Sequence, residues 1–206
     1  MSIGLKGNVD GSGAVQVGGS DAITIDTSLN VAAVGTLKAS GLTTAIYPVT
    51  ASTTVAATSG TSVDFTNVPS WVRRITVMLA NVSLTTTAST ICVRIGSGSF
   101  EATGYSGGFG LTNTASAANA TASTTTIPLA NLTNAADTVS GAIILSHMGS
   151  NLWVASGTFF RSSGTTSAAS MTASSKTTSG TLDRVQVVLD STGAFDGAGS
   201  INILYE

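Results

Sequence analysis

Charge is scarce in this chain. Only 9% of its 206 residues are Asp, Glu, Lys or Arg. Glutamate occurs only as Glu101 and Glu206, histidine only as His147, and cysteine only as Cys92. Each scarcity removes a class of function. Glycoside hydrolysis needs paired carboxylates, and so few glutamates offer little material for them. One histidine and one cysteine cannot build a close metal cluster. A lone cysteine cannot close an intrachain disulfide, so stability must come from burial and assembly. The net charge of -2 and a pI near 5.2 give no general attraction to nucleic acid. Mean hydropathy is +0.38, yet no apolar run approaches the ~18–20 residues of a membrane-spanning helix. Neither nucleic acid nor membrane is an expected partner. Met1–Gly7 lacks the apolar stretch of a secretory signal, so synthesis in a cytoplasm is expected, with cell lysis as one route out.

Small residues fill the space that charge leaves. Ser and Thr make up about 30% of the chain. Apolar residues come in short alternating runs, such as Ile75-Thr76-Val77-Met78-Leu79, Ile91-Cys92-Val93-Arg94-Ile95 and Ile201-Asn202-Ile203-Leu204-Tyr205. Period-two alternation specifies strands. Candidate strands fall near 62–67, 73–82, 90–96, 124–129, 139–147, 152–160, 182–189 and 200–205. No stretch has helical periodicity. Many short strands at regular spacing predict an all-β, jelly-roll-like antiparallel β-sandwich. Two bland stretches, 101–123 and 161–178, read as long loops of the kind that carry contacts; the low-complexity runs 112–126 and 162–178 could instead be extended strands, since threonine favours strands.

The first 45 residues differ from the rest. Val15 and Val17, Ile23 and Ile25, then Val31 recur at about eight-residue spacing, separated by Gly18-Gly19-Ser20-Asp21 and Asp26-Thr27-Ser28. Each unit reads as one strand and one turn, too small to bury a face alone. The expected organisation is an extended N-terminal β-arm over 1–45 and a sandwich over 46–206. Leu5, Val15, Val17, Ile23, Ile25 and Val31 are the arm's candidate docking residues.

Sites of chemistry are few. His147 has Ser146 beside it and Asp137 nearby in sequence, but no G-x-S-x-G elbow accompanies them, and a strand-end or contact role is expected. Cys92 reads as a small hydrophobe in mid-strand. Asn8-Val9-Asp10-Gly11-Ser12-Gly13 begins like a calcium loop, but its twelfth position is Gly19 rather than Glu, so it reads as a turn. Asp190 and Asp196 also read as turn residues. The glycines of 96–98 and 104–110 lack a phosphate-loop lysine and read as flexible turns. Trp71, Trp153 and Tyr105 are candidates for sugar stacking, with core packing favoured for both tryptophans. Arg73-Arg74 points to opposite faces of a strand, and a structural ion pair is expected. The sequons at Asn81, Asn119 and Asn131 are attributed to chance in a Ser/Thr-rich chain. No cofactor, no metal and no enzymatic activity are expected.

The opening, Gly4-Leu5-Lys6-Gly7-Asn8-Val9-Asp10-Gly11-Ser12-Gly13-Ala14-Val15-Gln16-Val17-Gly18-Gly19, resembles the N-termini of tailed-bacteriophage fibre and capsid-decoration proteins. The closing Leu182-Asp183-Arg184-Val185 and Phe195-Asp196-Gly197-Ala198-Gly199-Ser200-Ile201-Asn202-Ile203-Leu204-Tyr205 resembles the last strands of β-sandwich domains in that class. The resemblance covers about a fifth of the chain. It implies a non-enzymatic virion protein, a homotrimer on the capsid surface that binds the major capsid protein as a decoration or cement protein. A tail fibre or receptor-binding protein that grips host glycans is the alternative it allows.

Overall fold

The computed structural model describes the backbone of 3–7, 13–17, 20–25, 31–33 and 49–206, the last without 58, 86–87, 114–117, 165 and 192; side chains are described within 49–206 with those gaps and without 118–119. The chain divides into two compact units, Met1–Pro48 and Val49–Glu206. The break follows Pro48, where the composition changes.

The first unit is an antiparallel sheet of β1 (Ile3–Gly7), β2 (Gly13–Val17), β3 (Ser20–Ile25) and β4 (Val31–Ala33), in the order β1-β2-β3-β4. Each run of the eight-residue pattern is one strand. The spatial order is the sequence order, each strand antiparallel to the next.

The second unit is an antiparallel β-sandwich, without a helix among the described residues. Its smaller sheet contains β7 (Ser62–Thr66), β9 (Ser89–Ser97), β10 (Ser99–Phe100), β13 (Ile127–Leu132) and β17 (Arg184–Leu189), in the order β10-β9-β17-β7 with β13 also on β9. Its larger sheet contains β5 (Thr50–Ala51), β6 (Val55–Ala56), β8 (Arg74–Val82), β11 (Tyr105–Asn113), β12 (Ala118–Ser123), β14 (Thr138–Gly149), β15 (Leu152–Ser162), β16 (Ala168–Thr177) and β18 (Ser200–Tyr205). The order there is β12-β11-β16-β15-β14-β8-β18-β5, with β6 also on β18.

The alternating runs supply the core. Ile75 and Val77 of β8, Ile143 and Leu145 of β14, Ile91, Val93 and Ile95 of β9, and Val185 and Val187 of β17 are fully enclosed between the sheets. Each such burial is worth about 1.5–3 kcal/mol. In β8 and β14 the alternate positions Thr76, Met78 and Ile144 are only half-buried, as period two expects, whereas in β9 and β17 Cys92 and Val188 on the opposite face are buried as well. β14 and β15 meet at Ser150 and Asn151, whose φ values of 49° and 61° are those of a tight hairpin turn that matches strand twist. Register in β13 shifts between Pro128 and Ala130, where proline has no N–H for the ladder.

Three strands settle what the sequence reading left open between loop and strand. The bland stretches are largely strand among their described residues: β11 and β12 lie in the first, β16 in the second. The glycines of 104–110, read as flexible turns, lie largely within β11. A Cβ at Gly107 would stand 2.3 Å from the Ala173 carbonyl oxygen, and one at Gly108 would stand 2.1 Å from that of Thr121. Glycine here permits close backbone approach to strands on both sides. β16 was left open between loop and strand because its inward row, Ala168, Ser170, Thr172, Ser174 and Lys176, is mostly polar although buried. Its hydroxyls donate to neighbouring carbonyls: Ser170 Oγ to Leu129 O at 2.7 Å, Thr172 Oγ1 to Gly108 O at 3.1 Å, and Ser174 Oγ to Ser106 O at 3.3 Å. A satisfied buried hydroxyl is tolerated where an unsatisfied one costs about 1–3 kcal/mol.

Candidate functional site

His147 sits near the end of β14. Its ring centroid is 5.0 Å from that of Trp153, and its backbone N–H donates to Arg73 O. Ser146 lies opposite Val154 in the ladder, on the strand face away from His147. Asp137 precedes the other end of β14, about 30 Å from His147 at ~3.3 Å per strand residue. These residues form no nucleophilic triad. Beside His147 is a hollow of about 100 Å³ lined by Ser70, Arg73, Asn151, Trp153 and Thr181. At roughly 30 Å³ per water it holds a few waters and not a sugar ring. Arg73 is occupied there in local structure, donating from Nη1 to the carbonyls of Ser70 and Val72.

The carboxylates serve as structural acceptors. Asp137 Oδ2 accepts from the N–H groups of Thr133 and Asn134 at 2.9 and 3.0 Å and lies 3.6 Å from Arg161 Nε. Burial opposes its charge, but hydrogen bonds from Ser163, Thr133 and Asn134 outweigh it and hold the carboxyl below its ordinary value. Arg161 also donates to Asn131 O and Thr166 O, so one buried pair ties the turn before β14 to the loop after β15. Glu101 pairs with the buried Lys176 and accepts from Ser179 N and Oγ at 2.8 and 2.9 Å. Its pKa is lowered; burial works the other way, and the bonds from Lys176 and Ser179 prevail. Asp190 accepts from Thr90 N, while Asp196 accepts from Ser83 Oγ and Ala198 N. They are two separate caps, as the turn reading expects. Arg74 pairs with Glu206 at 2.8 Å.

Nucleophiles are muted. Burial pushes the Cys92 thiol up to about 12, far from the thiolate that reactivity needs. Burial likewise raises Tyr105 to about 12, and its hydroxyl donates to Ile95 O and Glu101 O. No three His, Cys, Asp or Glu residues gather to hold a metal among the described residues. The calcium-like turn at 8–13 lies largely outside the described residues. Sugar stacking needs an exposed ring face, and Trp153 and Tyr105 are 4% and 3% exposed. Trp71 packs partly against the core, 6.0 Å from the Tyr205 ring.

The surface that the sequence singled out lies in the first unit. Register pairs Leu5 with Val15, Val15 with Ile23, and Ile25 with Val31. Val17 pairs with Ile3, two residues along from Leu5. Directly paired residues share a sheet face, as do alternate residues of one strand. Leu5, Val15, Val17, Ile23, Ile25 and Val31 therefore occupy one face. Lys6, Ala14, Gln16 and Thr24 occupy the other. A bulge at the β2–β3 pairing falls between Val15 and Gln16, beyond the run that carries both isoleucines.

No family model matches this chain, and no curated protein or solved structure matches it either.

Proposed function

We propose that this chain is a non-enzymatic structural protein of a tailed-bacteriophage virion, a capsid decoration protein that stabilises the head as a symmetric homo-oligomer, in the first instance a trimer. The observation that carries the reading is the single apolar face of the β1–β4 sheet, joined to a sandwich whose carboxylates Asp137, Glu101, Asp190 and Asp196 are engaged as structural acceptors. A small sheet of that kind reaches independent stability only by covering its apolar face. In this reading the cover is the major capsid protein. The sandwich contributes a compact body with short side chains, which lose little rotamer entropy when ordered. A standard contact of ~1,600 Å² holds one copy, and symmetric copies add avidity. The site of action is the virion surface, after synthesis in the host cytoplasm. The glycan-gripping fibre is the weaker reading, since Trp153 and Tyr105 are enclosed and the bland stretches are largely strand.

Deletion of residues 1–45 tests the anchor. The truncated protein is expected to keep its far-ultraviolet circular dichroism and cooperative melting, because the core lies within Val49–Glu206. It is expected to lose binding to particles stripped of this chain. Full occupancy by the truncated protein on those particles would remove the arm as the anchor.

A further inference from the structure

The outer face of the large sheet carries the second surface. One row across it runs by register from Met78 through Ala142, Thr158 and Met171 to Gly110 and Ala120. The adjacent row, from Thr76 to Ala122, is equally free of charge. Arg74, at one end of β8, is paired with Glu206. A sheet face that meets only water is normally patterned with polar side chains, whereas the centre of a protein interface is depleted of charge and enriched in methionine and aromatic residues. Met171 is 65% exposed and Phe160 52%, and both lie on this face.

Its relief has one ridge and two hollows. Met171 stands between an open hollow of about 470 Å³ floored by Gly108, Gly110 and Ala173 and another of about 520 Å³ among Ile144, Ser156 and Thr158. The first exists because glycine and alanine leave the sheet bare. Strands ~4.8 Å apart with ~3.3 Å per residue make the face from β12 to β18 roughly 34 Å by 20 Å, or about 700 Å². A standard interface buries about 800 Å² on each partner.

We infer that this face is where a second copy of the chain packs, with the Met171 ridge of one copy seated in a hollow of its neighbour. A foreign partner selected by charge would need a complementary charge here, and there is none to read. A second copy needs no complementary charge, only a face that does not repel itself and is close in area to a standard contact, and this face carries no charge in either row. The inference takes from the proposed function only the homo-oligomer; it needs neither the virion nor the arm.

The test is the mass in solution by light scattering, on the full chain at micromolar concentration. The wild type is expected at a whole multiple of 20.4 kDa. Met171→Asp and, separately, Thr158→Lys are expected to fall to the single-chain mass with unchanged circular dichroism, because each buries an uncompensated charge in an uncharged contact. Ala102→Lys, an exposed site off this face, is expected to keep the wild-type mass. A wild type at 20.4 kDa overturns the inference and leaves the face to a foreign partner. An oligomer that survives both substitutions also overturns it, since the copies then meet elsewhere. In that last case the homo-oligomer of the proposed function stands while this assignment of its contact falls.

Discussion

Arg161→Met is expected to destabilise the sandwich by about 3–5 kcal/mol, the usual consequence of removing one partner from a buried ion pair. Arg161 and Asp137 are 5% and 1% exposed at their side chains. The substitution leaves a carboxylate enclosed without its cation, and it strips the donors from Asn131 O and Thr166 O. Adding Asp137→Asn should recover a large part of the loss. Asparagine keeps an oxygen for the N–H groups of Thr133 and Asn134 and carries no charge. The effect should also depend on pH in a set direction. Asp137 has a folded pKa below its unfolded value, which is ~3.9 for a free aspartate. Its contribution is fully present above that value and is lost as pH falls through the lower folded one. The hydrogen bonds that lower the Asp137 pKa remain in Arg161→Met, but the Arg161 charge acts only on an ionised partner, so the gap between wild type and Arg161→Met should narrow as acid neutralises Asp137. Urea unfolding at neutral and acid pH measures both statements. A loss below about 1 kcal/mol at neutral pH, the range of exposed pairs, would mean that the pair is solvated.

Phe195→Ala is expected to cost about 3–5 kcal/mol, as for a fully buried aromatic ring whose cavity cannot collapse. Phe195 is 1% exposed and lies in the connection between β17 and β18. It bridges Leu84, its N–H donates to Gly60 O at 2.9 Å, and its neighbour Ala194 accepts from Thr85 N at 2.8 Å. The ring pins a segment that otherwise holds itself by caps. Phe195→Leu, which conserves more of the volume, should cost less than about 1.5 kcal/mol. Equal losses for the two variants would show that the backbone bonds, and not the ring, fix the segment.

Strands with apolar inward rows were legible in the sequence. Burial of Ile75, Val77, Ile143 and Leu145 imposes period two directly on composition, so β8 and β14 were found nearly at their bounds. The strand expected at 124–129 begins instead at Ile127, because Thr124 to Thr126 form the bend that precedes Pro128. β16 and β11 were left open for different reasons. In β16, serine and threonine take inward positions that hydroxyl-to-carbonyl bonds make tolerable. In β11, glycine marks close packing of strands, yet the same letter marks turns elsewhere. The shared face of Leu5, Val15, Val17, Ile23, Ile25 and Val31 was legible because period-two strands at a fixed spacing set which residues pair. The Asp137–Arg161 pair was not. Its partners are 24 positions apart in sequence, and one arginine in a strand gives no signal of an inward direction. The Met171 face was equally hidden, since its residues come from every part of the second unit and only the ladder order places Thr158, Met171 and Gly110 side by side.

The capsid-decoration reading makes a claim about particles. A protein that binds the assembled lattice, and not its dissociated subunits, stabilises the lattice by mass action. The most direct measurement compares particles assembled with and without this chain for rupture on heating or osmotic shock and for adsorption to host cells. The expected result is that particles lacking it adsorb normally and rupture at lower temperature or under milder shock. Particles of unchanged stability that fail to adsorb would contradict the decoration reading and assign the chain to receptor binding.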